Sequence, residues 1–236
     1  MTDDLSQFIA ARPATAERPL LGLTVLLVED SRFASEAMRL LCLRSGARIR
    51  RADCLRSAHR HLATYRPGVV VVDMGLPDGS GADLIREIKA MAAPAPAVIG
   101  LSGDPDSEAL ALQAGADAFL AKPLESLACF QQAVLSVLPA DERPQGLRVV
   151  HDETVAPDPL ALRDDLSHVA EVLSAAPDPA ALGYVAQFLG SIARSAHDPD
   201  LVSAAAALGG ASMPSPAAVS HLSGIVQARL AAAAGF

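Results

Sequence analysis

The sequence has no tryptophan, and aromatic residues make up only 3% of its 236 residues. Its three cysteines, Cys42, Cys54 and Cys129, form neither a metal-binding spacing nor an even disulfide set, so we expect a reducing compartment. Lys and Arg number 19 against 27 Asp and Glu, and this net charge of −8 opposes a broad electrostatic grip on nucleic acid or an anionic membrane. The sequence also lacks a basic leader and a bilayer-long apolar run, so we expect a cytoplasmic protein without membrane contact.

Hydrophobic residues nevertheless make up 51% of the sequence, which is ample for a core. Between residues 21 and 139 they form strand-like runs that alternate with helical patterns. The predicted strands are Leu23 to Val28, Arg48 to Ala52, Val69 to Val72, Ala97 to Leu101 and Ala118 to Leu120. This alternation predicts an α/β domain with a doubly wound, five-stranded parallel sheet.

The segments outside this domain differ from it in composition. Residues 1–20 are polar and interrupted by prolines, and we interpret them as a flexible N-terminal extension. Residues 140–157 have mixed charge and several prolines, which predicts a linker with one short strand at Leu147 to Val150. Residues 158–236 are alanine-rich, and an N-cap residue followed by proline occurs four times. The pairs Asp158-Pro159, Asp178-Pro179, Asp198-Pro199 and Ser215-Pro216 predict four helices, hence a small all-α bundle domain.

Asp73 follows a run of four valines, Val69 to Val72, which is typical of a strand buried on both faces of a parallel sheet. Glu29 and Asp30 follow the first strand, Ser102 ends the fourth, and Lys122 follows the fifth. Because the carboxyl ends of parallel strands meet at one edge of the sheet, these side chains are predicted to lie together. Three crowded carboxylates repel one another, and oxygen ligands with room for water suit Mg²⁺ and phosphoryl transfer.

The order of these elements resembles the receiver domain of two-component response regulators. The match covers residues 21–139: an acidic pair, then Asp73 followed by Leu76-Pro77-Asp78-Gly79-Ser80-Gly81, then a hydroxyl residue, then Lys122-Pro123. The resemblance implies a flavodoxin-like fold and a phosphohistidine donor, either a sensor histidine kinase or a histidine phosphotransfer protein. It also implies a protein that accepts a phosphoryl group but is not a turnover enzyme.

The resemblance assigns a role to each residue of the site. Asp73 is the phosphoacceptor and nucleophile, Lys122 neutralises the phosphoryl group, and Ser102 bonds one of its oxygens. The implied Mg²⁺ ligands are Asp30 directly, Glu29 through water, Asp73 and the backbone carbonyl of Gly75. Ser102 and Phe119 are the implied conformational switch. The sequence departs from the family at Gly103, where alanine is usual, and at Phe119, where tyrosine is commoner.

The output of residues 140–236 is open to three interpretations. Five arginines, no lysine and eleven acidic residues give this part a charge of 5 − 11 = −6, which favours contact with an unidentified protein target, or with a second copy, over nucleic acid. A degenerate helix-turn-helix remains an alternative, carried by Ser215, Val219, His221, Leu222, Ile225, Arg229 and Leu230. A histidine phosphotransfer domain is a third, with His168, His197 and His221 as candidates, although none has the Lys and Gly expected one turn later.

Overall fold

A computed structural model describes residues 14–91, 94–144, 153–175, 177–209 and 215–233. Its main sheet has five parallel strands, which are β1 (Thr24–Val28), β2 (Arg48–Ala52), β3 (Val69–Asp73), β6 (Ala97–Ser102) and β7 (Ala118–Ala121). Their order across the sheet is β2-β1-β3-β6-β7. The predicted doubly wound, flavodoxin-like sheet is confirmed, with its strand-order reversal beside β1 and β3.

Five helices cover the two faces of this sheet. They are α1 (Arg32–Ser45), α2 (Leu55–Thr64), α3 (Gly81–Lys89), α4 (Ser107–Gln113) and α5 (Leu127–Val137). Helices α1 and α5 pack on the face that presents Val25, Leu27 and Val71, whereas α2, α3 and α4 pack on the face that presents Leu26 and Val70. Because both faces are covered, the inner strands β1, β3 and β6 are almost wholly buried, as the valine run of β3 indicates, whereas the edge strand β2 carries three arginines and is largely exposed.

A two-stranded hairpin follows Asp73 and leads into α3. It consists of β4 (Gly75–Leu76) and β5 (Gly79–Ser80). Gly81 begins α3 directly over Asp73, and a Cβ at that position would lie 2.0 Å from the Asp73 carbonyl oxygen. The close approach of the two backbones therefore requires glycine at position 81, and it holds the hairpin at the sheet edge.

The ends of the receiver-like domain differ from the predicted boundaries. Leu20, assigned to the flexible extension, is 1% exposed in the core, and its N–H donates to the Ser45 carbonyl. Residues 153–155, assigned to the linker, pair with the segment 125–127, and Val155 is also buried in the core. Buried apolar side chains at the ends of polar segments explain both differences. The strand predicted at 147–150 and residues 1–13 lie outside the described residues.

Four helices make up the described part of the C-terminal region, as the four capped prolines predict. They are α6 (Pro159–Ser174), α7 (Pro179–Ser195), α8 (Pro199–Gly209) and α9 (Pro216–Ala233). Asp158, Asp178, Asp198 and Ser215 each accept a hydrogen bond from a backbone N–H of the following first turn. Their apolar stripes share one core, which contains Leu166, Val169, Val185, Leu189 and Ile192.

The helical region packs against the carboxyl edge of the sheet instead of standing apart from it. Helix α6 contacts α1, and α7 contacts both α1 and β4. A 3₁₀ turn at Ala140–Glu142 follows α5. No helix among the described ranges is both long and apolar enough to cross a membrane.

Candidate functional site

Asp73 lies at the carboxyl end of β3, next to Lys122 from the segment after β7. The Lys122 ammonium is 3.1 Å from Asp73 Oδ2 and 2.7 Å from Glu29 Oε2. Asp73 and Lys122 are each 7% exposed and Glu29 is fully buried. The order of the strands thus places one buried cation between two buried carboxylates, as the sequence predicts.

Asp30 completes a group of three carboxylates. Glu29, Asp30 and Asp73 each offer an oxygen, and these oxygens lie within 4.8 Å of one another. The Ser31 N–H donates to both Glu29 Oε1 (3.1 Å) and Asp30 Oδ1 (3.0 Å), which fixes the turn before α1. Carboxylate oxygens clustered at this spacing fit a hard cation such as Mg²⁺.

The electrostatics of the cluster favour uptake of a cation or a proton. Burial raises the pKa of Glu29 and of Asp30 to about 6 each. Burial, and then the charge of Glu29, raise the pKa of Asp73 to about 7 against the opposing effect of Lys122. Burial alone would lower the pKa of Lys122, but Asp73 and Glu29 hold it above its usual value. Lys122 is therefore charged at neutral pH, and three carboxylates still exceed the charge that it can balance.

Ser102 and Phe119 occupy neighbouring strands, Ser102 at the carboxyl end of β6 and Phe119 within β7, paired with Gly100. Ser102 is buried, and its Oγ accepts a hydrogen bond from the Asp104 N–H at 3.1 Å, which leaves its hydroxyl hydrogen available to a ligand. Phe119 is partly buried against the α2–α4 side of the core. Its ring lies beside Gly100, where a Cβ would come within 3.1 Å of it.

The other side of the site is made by residues that the sequence did not single out. Tyr184 of α7 donates a hydrogen bond to Asp30 Oδ2 at 2.5 Å. Asp165 of α6 accepts hydrogen bonds from Ser31 Oγ (2.8 Å) and from the N–H groups of Arg32 (2.9 Å) and Phe33 (3.0 Å). These contacts join residues at least 132 positions apart, so local patterns carry no signal for them.

Two more residues of α7 lie against glycines of the receiver-like domain. The Gln187 amide nitrogen is 2.3 Å from the place where a Cβ of Gly75 would stand. The Arg194 guanidinium nitrogens are 3.0 Å from the corresponding place at Gly103. The departure from alanine at position 103 therefore has a steric reason, because a methyl group there would press on Arg194. The glycine at position 103 is thus a sequence feature that reflects the contact with α7.

Two of the helix-turn-helix candidates, Leu222 and Arg229, are engaged within the chain. In α9, Leu222 and Val226 are buried in the bundle core, and Arg229 pairs with Asp198 (2.6 Å) and Asp200 (3.0 Å). This arginine is part of the predicted recognition helix, yet it is held by acidic side chains of the same domain.

The three candidate histidines have different surroundings. His168 is exposed on α6 with its ring edge-to-face against Phe188, His197 pairs with Glu125 at 2.8 Å, and His221 is exposed on α9. None of them lines the cavity that contains Asp73.

Comparisons with known proteins agree on the first half of the chain. The chain is 31% identical over 146 residues to the KDP operon transcriptional regulatory protein KdpE of Escherichia coli (strain K12), which covers 61% of this chain and 59% of that protein. It is 28% identical over 114 residues to the virulence transcriptional regulatory protein PhoP of Salmonella typhimurium, which covers 47% of this chain and 51% of that protein. The chain thus spans about half to three fifths of the length of these curated relatives.

Among solved structures, the receiver domain of sensor histidine kinase PA1611 from Pseudomonas aeruginosa PAO1, which has a magnesium ion in its active site cleft, is 26% identical with a TM-score of 0.46. The match covers 49% of this chain and 97% of that chain. The family model of the response regulator receiver domain matches residues 25–134. These residues, with the sheet order and the acidic edge described above, form a response regulator receiver domain.

Proposed function

We propose that this protein is a phosphorelay response regulator in which Asp73 accepts a phosphoryl group and the helical region carries the output. The observation that supports this most directly is the position of Asp73, 3.1 Å from the buried Lys122 ammonium and within 4.8 Å of two further carboxylates. Such a site can hold both a cation and the charge of a phosphoryl group. The donor that we propose is a phosphohistidine on a sensor histidine kinase or on a histidine phosphotransfer protein.

In the proposed step, a carboxylate oxygen of Asp73 attacks the phosphorus atom in line with the bond to the donor imidazole. The new P–O bond gives an acyl phosphate, the P–N bond breaks, and the imidazole nitrogen keeps the electron pair and takes up a proton. Lys122 balances the negative charge of the phosphoryl oxygens, and the free hydroxyl hydrogen of Ser102 donates to one of them. Each chain accepts one phosphoryl group, so we do not regard it as a turnover enzyme.

Asp30, Asp73 and the Gly75 carbonyl are the proposed direct ligands of Mg²⁺. Glu29 is fully buried and already bonds Lys122 and the Ser31 N–H, which favours a role through water. When bound, Mg²⁺ supplies positive charge that offsets the repulsion between the attacking carboxylate and the phosphoryl oxygens. Phosphorylation would then draw Ser102 toward the phosphoryl group, with Phe119 as its proposed partner in the switch.

For the output we propose protein contact. Residues 140–236 have a net charge of −6, and Arg229 of the candidate recognition helix is neutralised by Asp198 and Asp200. Both features disfavour a phosphate backbone as partner. The relatives named above are transcriptional regulators, so DNA binding is the alternative that must be tested. A mobility-shift titration with random duplex DNA at low salt should give no tight complex, and a tight complex would overturn protein contact as the output.

Phosphorylation by acetyl phosphate in the presence of Mg²⁺ tests the function itself. We expect intact-mass spectrometry to detect one added phosphoryl group in the wild type and in the control Asp83→Asn, whose carboxylate is exposed on α3 and pairs with Arg86. Asp73→Asn should abolish the signal, and Asp30→Asn should weaken Mg²⁺ binding. Persistent phosphorylation of Asp73→Asn would overturn the proposed function.

A further inference from the structure

Helix α7 covers the site that the donor has to reach. Gln187, Phe188, Ser191 and Arg194 line the same cavity as Asp73, Ser102 and Lys122. The cavity that remains has a volume of about 20 Å³, which is room for about one water molecule. A phosphoryl group and a hydrated Mg²⁺ need more space than this, and a phosphohistidine on another protein has to approach Asp73 from the covered side.

Tyr184 of α7 also hydrogen-bonds to Asp30, one of the proposed direct ligands of the metal. Asp30 Oδ1 already accepts the Ser31 N–H, and Oδ2 accepts the Tyr184 hydroxyl at 2.5 Å. Mg²⁺ coordination by Asp30 therefore competes with a short hydrogen bond between the two domains. The ring of Tyr184 is stacked on Phe188, with 5.5 Å between ring centroids, so the hydroxyl cannot leave Asp30 freely while α7 stays docked.

The receiver domain is shaped to accept α7. At Gly75 and Gly103, side chains of α7 occupy the space that a Cβ would need. Asp165 of the neighbouring α6 holds the first turn of α1, where the N–H groups of Arg32 and Phe33 have no acceptor within their own helix. The docked position thus rests on steric fit at two glycines and on hydrogen bonds at two carboxylates.

From these contacts we propose that α7 is a gate on the phosphorylation site, and that Mg²⁺ binding and phosphorylation of Asp73 displace it. Its displacement frees the face of the helical region that carries Asp165, Tyr184, Gln187 and Arg194. The inference rests on the proposed function and adds its regulation: the docked chain resists phosphorylation, and the phosphorylated chain presents a new surface to its protein target. Arg194 is suited to such a surface, because its Nε has no hydrogen-bond partner among the described residues.

The first test removes the hydroxyl group that competes with the metal. Tyr184→Phe keeps the aromatic ring but lacks the hydrogen bond to Asp30, and we expect it to bind Mg²⁺ about tenfold more tightly, equivalent to about 1.4 kcal/mol, in isothermal titration of the full chain. The matched control is Tyr65→Phe, which removes the only other tyrosine hydroxyl, located at the end of α2. Equal Mg²⁺ affinity of Tyr184→Phe, Tyr65→Phe and the wild type would overturn the gate.

The second test follows the docking contact by hydrogen exchange. Within the part of the chain that the structure describes, the N–H groups of Arg32 and Phe33 bond only to Asp165, so their exchange reports whether the helical region is docked. We expect exchange in a peptide that spans the first turn of α1 to become at least tenfold faster when the wild type is phosphorylated by acetyl phosphate with Mg²⁺. The same treatment of Asp73→Asn should leave it unchanged. Slower exchange on phosphorylation would mean that α7 clamps the phosphoryl group, and it would overturn the gate, as would unchanged exchange.

Gly103→Ala provides a third test that touches no proposed ligand. Its methyl group would stand 3.0 Å from the Arg194 guanidinium, so the end of the Arg194 side chain has to move away from Gly103. We expect this weakened contact to give modestly faster phosphorylation than in the wild type, and phosphorylation equal to or slower than that of the wild type would contradict the contribution of Arg194 to the gate. These outcomes are separate from failure of the proposed function, which shows as phosphorylation that persists in Asp73→Asn.

Discussion

The two sides of the phosphorylation site are built from different interactions. The receiver side consists of formal charges, with Lys122 between Glu29 and Asp73 at the ends of parallel strands. The helical side reaches the site mainly with hydrogen-bonding groups, the Tyr184 hydroxyl and the Gln187 amide. Its charged group there is Arg194, which lies against Gly103 and has no ion pair among the described residues. The buried carboxylate of its described part, Asp165, bonds α1 instead of the cluster.

This difference determines which side can move. Separating Lys122 from its carboxylates would leave unpaired charges in a buried environment, which is costly. Separating Tyr184 from Asp30 exposes both groups to water, which replaces the lost hydrogen bond at a small net cost. The receiver side is therefore expected to stay fixed. The contacts of the helical side with the site can be replaced by contacts with water, metal or phosphoryl oxygens.

The largest loss of stability is expected when Lys122 on the receiver side is replaced by an uncharged residue. Lys122→Met leaves Glu29 and Asp73 buried without a counter-charge, and we expect it to lower the free energy of unfolding by about 3–5 kcal/mol at pH 8, measured by urea denaturation. The matched control is Lys89→Met, at the only other lysine in the sequence, which forms a partly exposed ion pair with Asp117. We expect the control to lower the free energy of unfolding by about 1 kcal/mol or less. Equal losses for the two variants would show that the buried charges of the site do not hold the receiver side together.

A smaller loss is expected on the helical side. Asp165→Ala removes the acceptor of three hydrogen bonds at the start of α1, and we expect a loss of about 2 kcal/mol together with faster exchange of the Arg32 and Phe33 amides. The neighbouring Asp164→Ala is the control, because Asp164 forms an exposed ion pair with Arg32, worth about 0.5 kcal/mol. If Asp164→Ala and Asp165→Ala lost the same stability, docking through Asp165 would not hold the two regions together.

The two regions also differ in how far the sequence reveals them. The valine run before Asp73, the acidic pair and the capped prolines act through neighbouring residues or through a parallel sheet that brings strand ends together, so fold, strands and helices could be predicted. The docking of α7, in contrast, depends on the complementary surfaces of two folded domains. Tyr184 lies 154 positions from Asp30, and nothing within a helical stripe distinguishes a residue that faces another domain from one that faces water. Val155 was missed for a related reason, since a single apolar residue in a polar segment has no period.

The smallest of these effects tests the charge balance of the receiver side through pH. The pKa of Asp73 is raised to about 7 in the folded protein, whereas it has its ordinary value near 4 in the unfolded chain. Between these values the folded state binds the proton more tightly, so ionisation of Asp73 removes stability as the pH rises through this range. Asp73→Asn cannot ionise, and we expect it to be more stable than the wild type by about 1 kcal/mol at pH 8 in a chelating buffer.

An ordinary surface carboxylate paired with lysine behaves in the opposite way, because its replacement by asparagine lowers the stability of the protein. We expect the melting temperature of Asp73→Asn to exceed that of the wild type by about 2–4 °C at pH 8, and the difference to vanish as the pH falls below about 4, where Asp73 becomes protonated in both states. Saturating Mg²⁺ should reverse the order at pH 8, since the metal stabilises only the chain that keeps its three carboxylates. A wild type more stable than Asp73→Asn at pH 8 without metal would mean that Lys122 alone balances the cluster, and the receiver side would then need no cation to complete it.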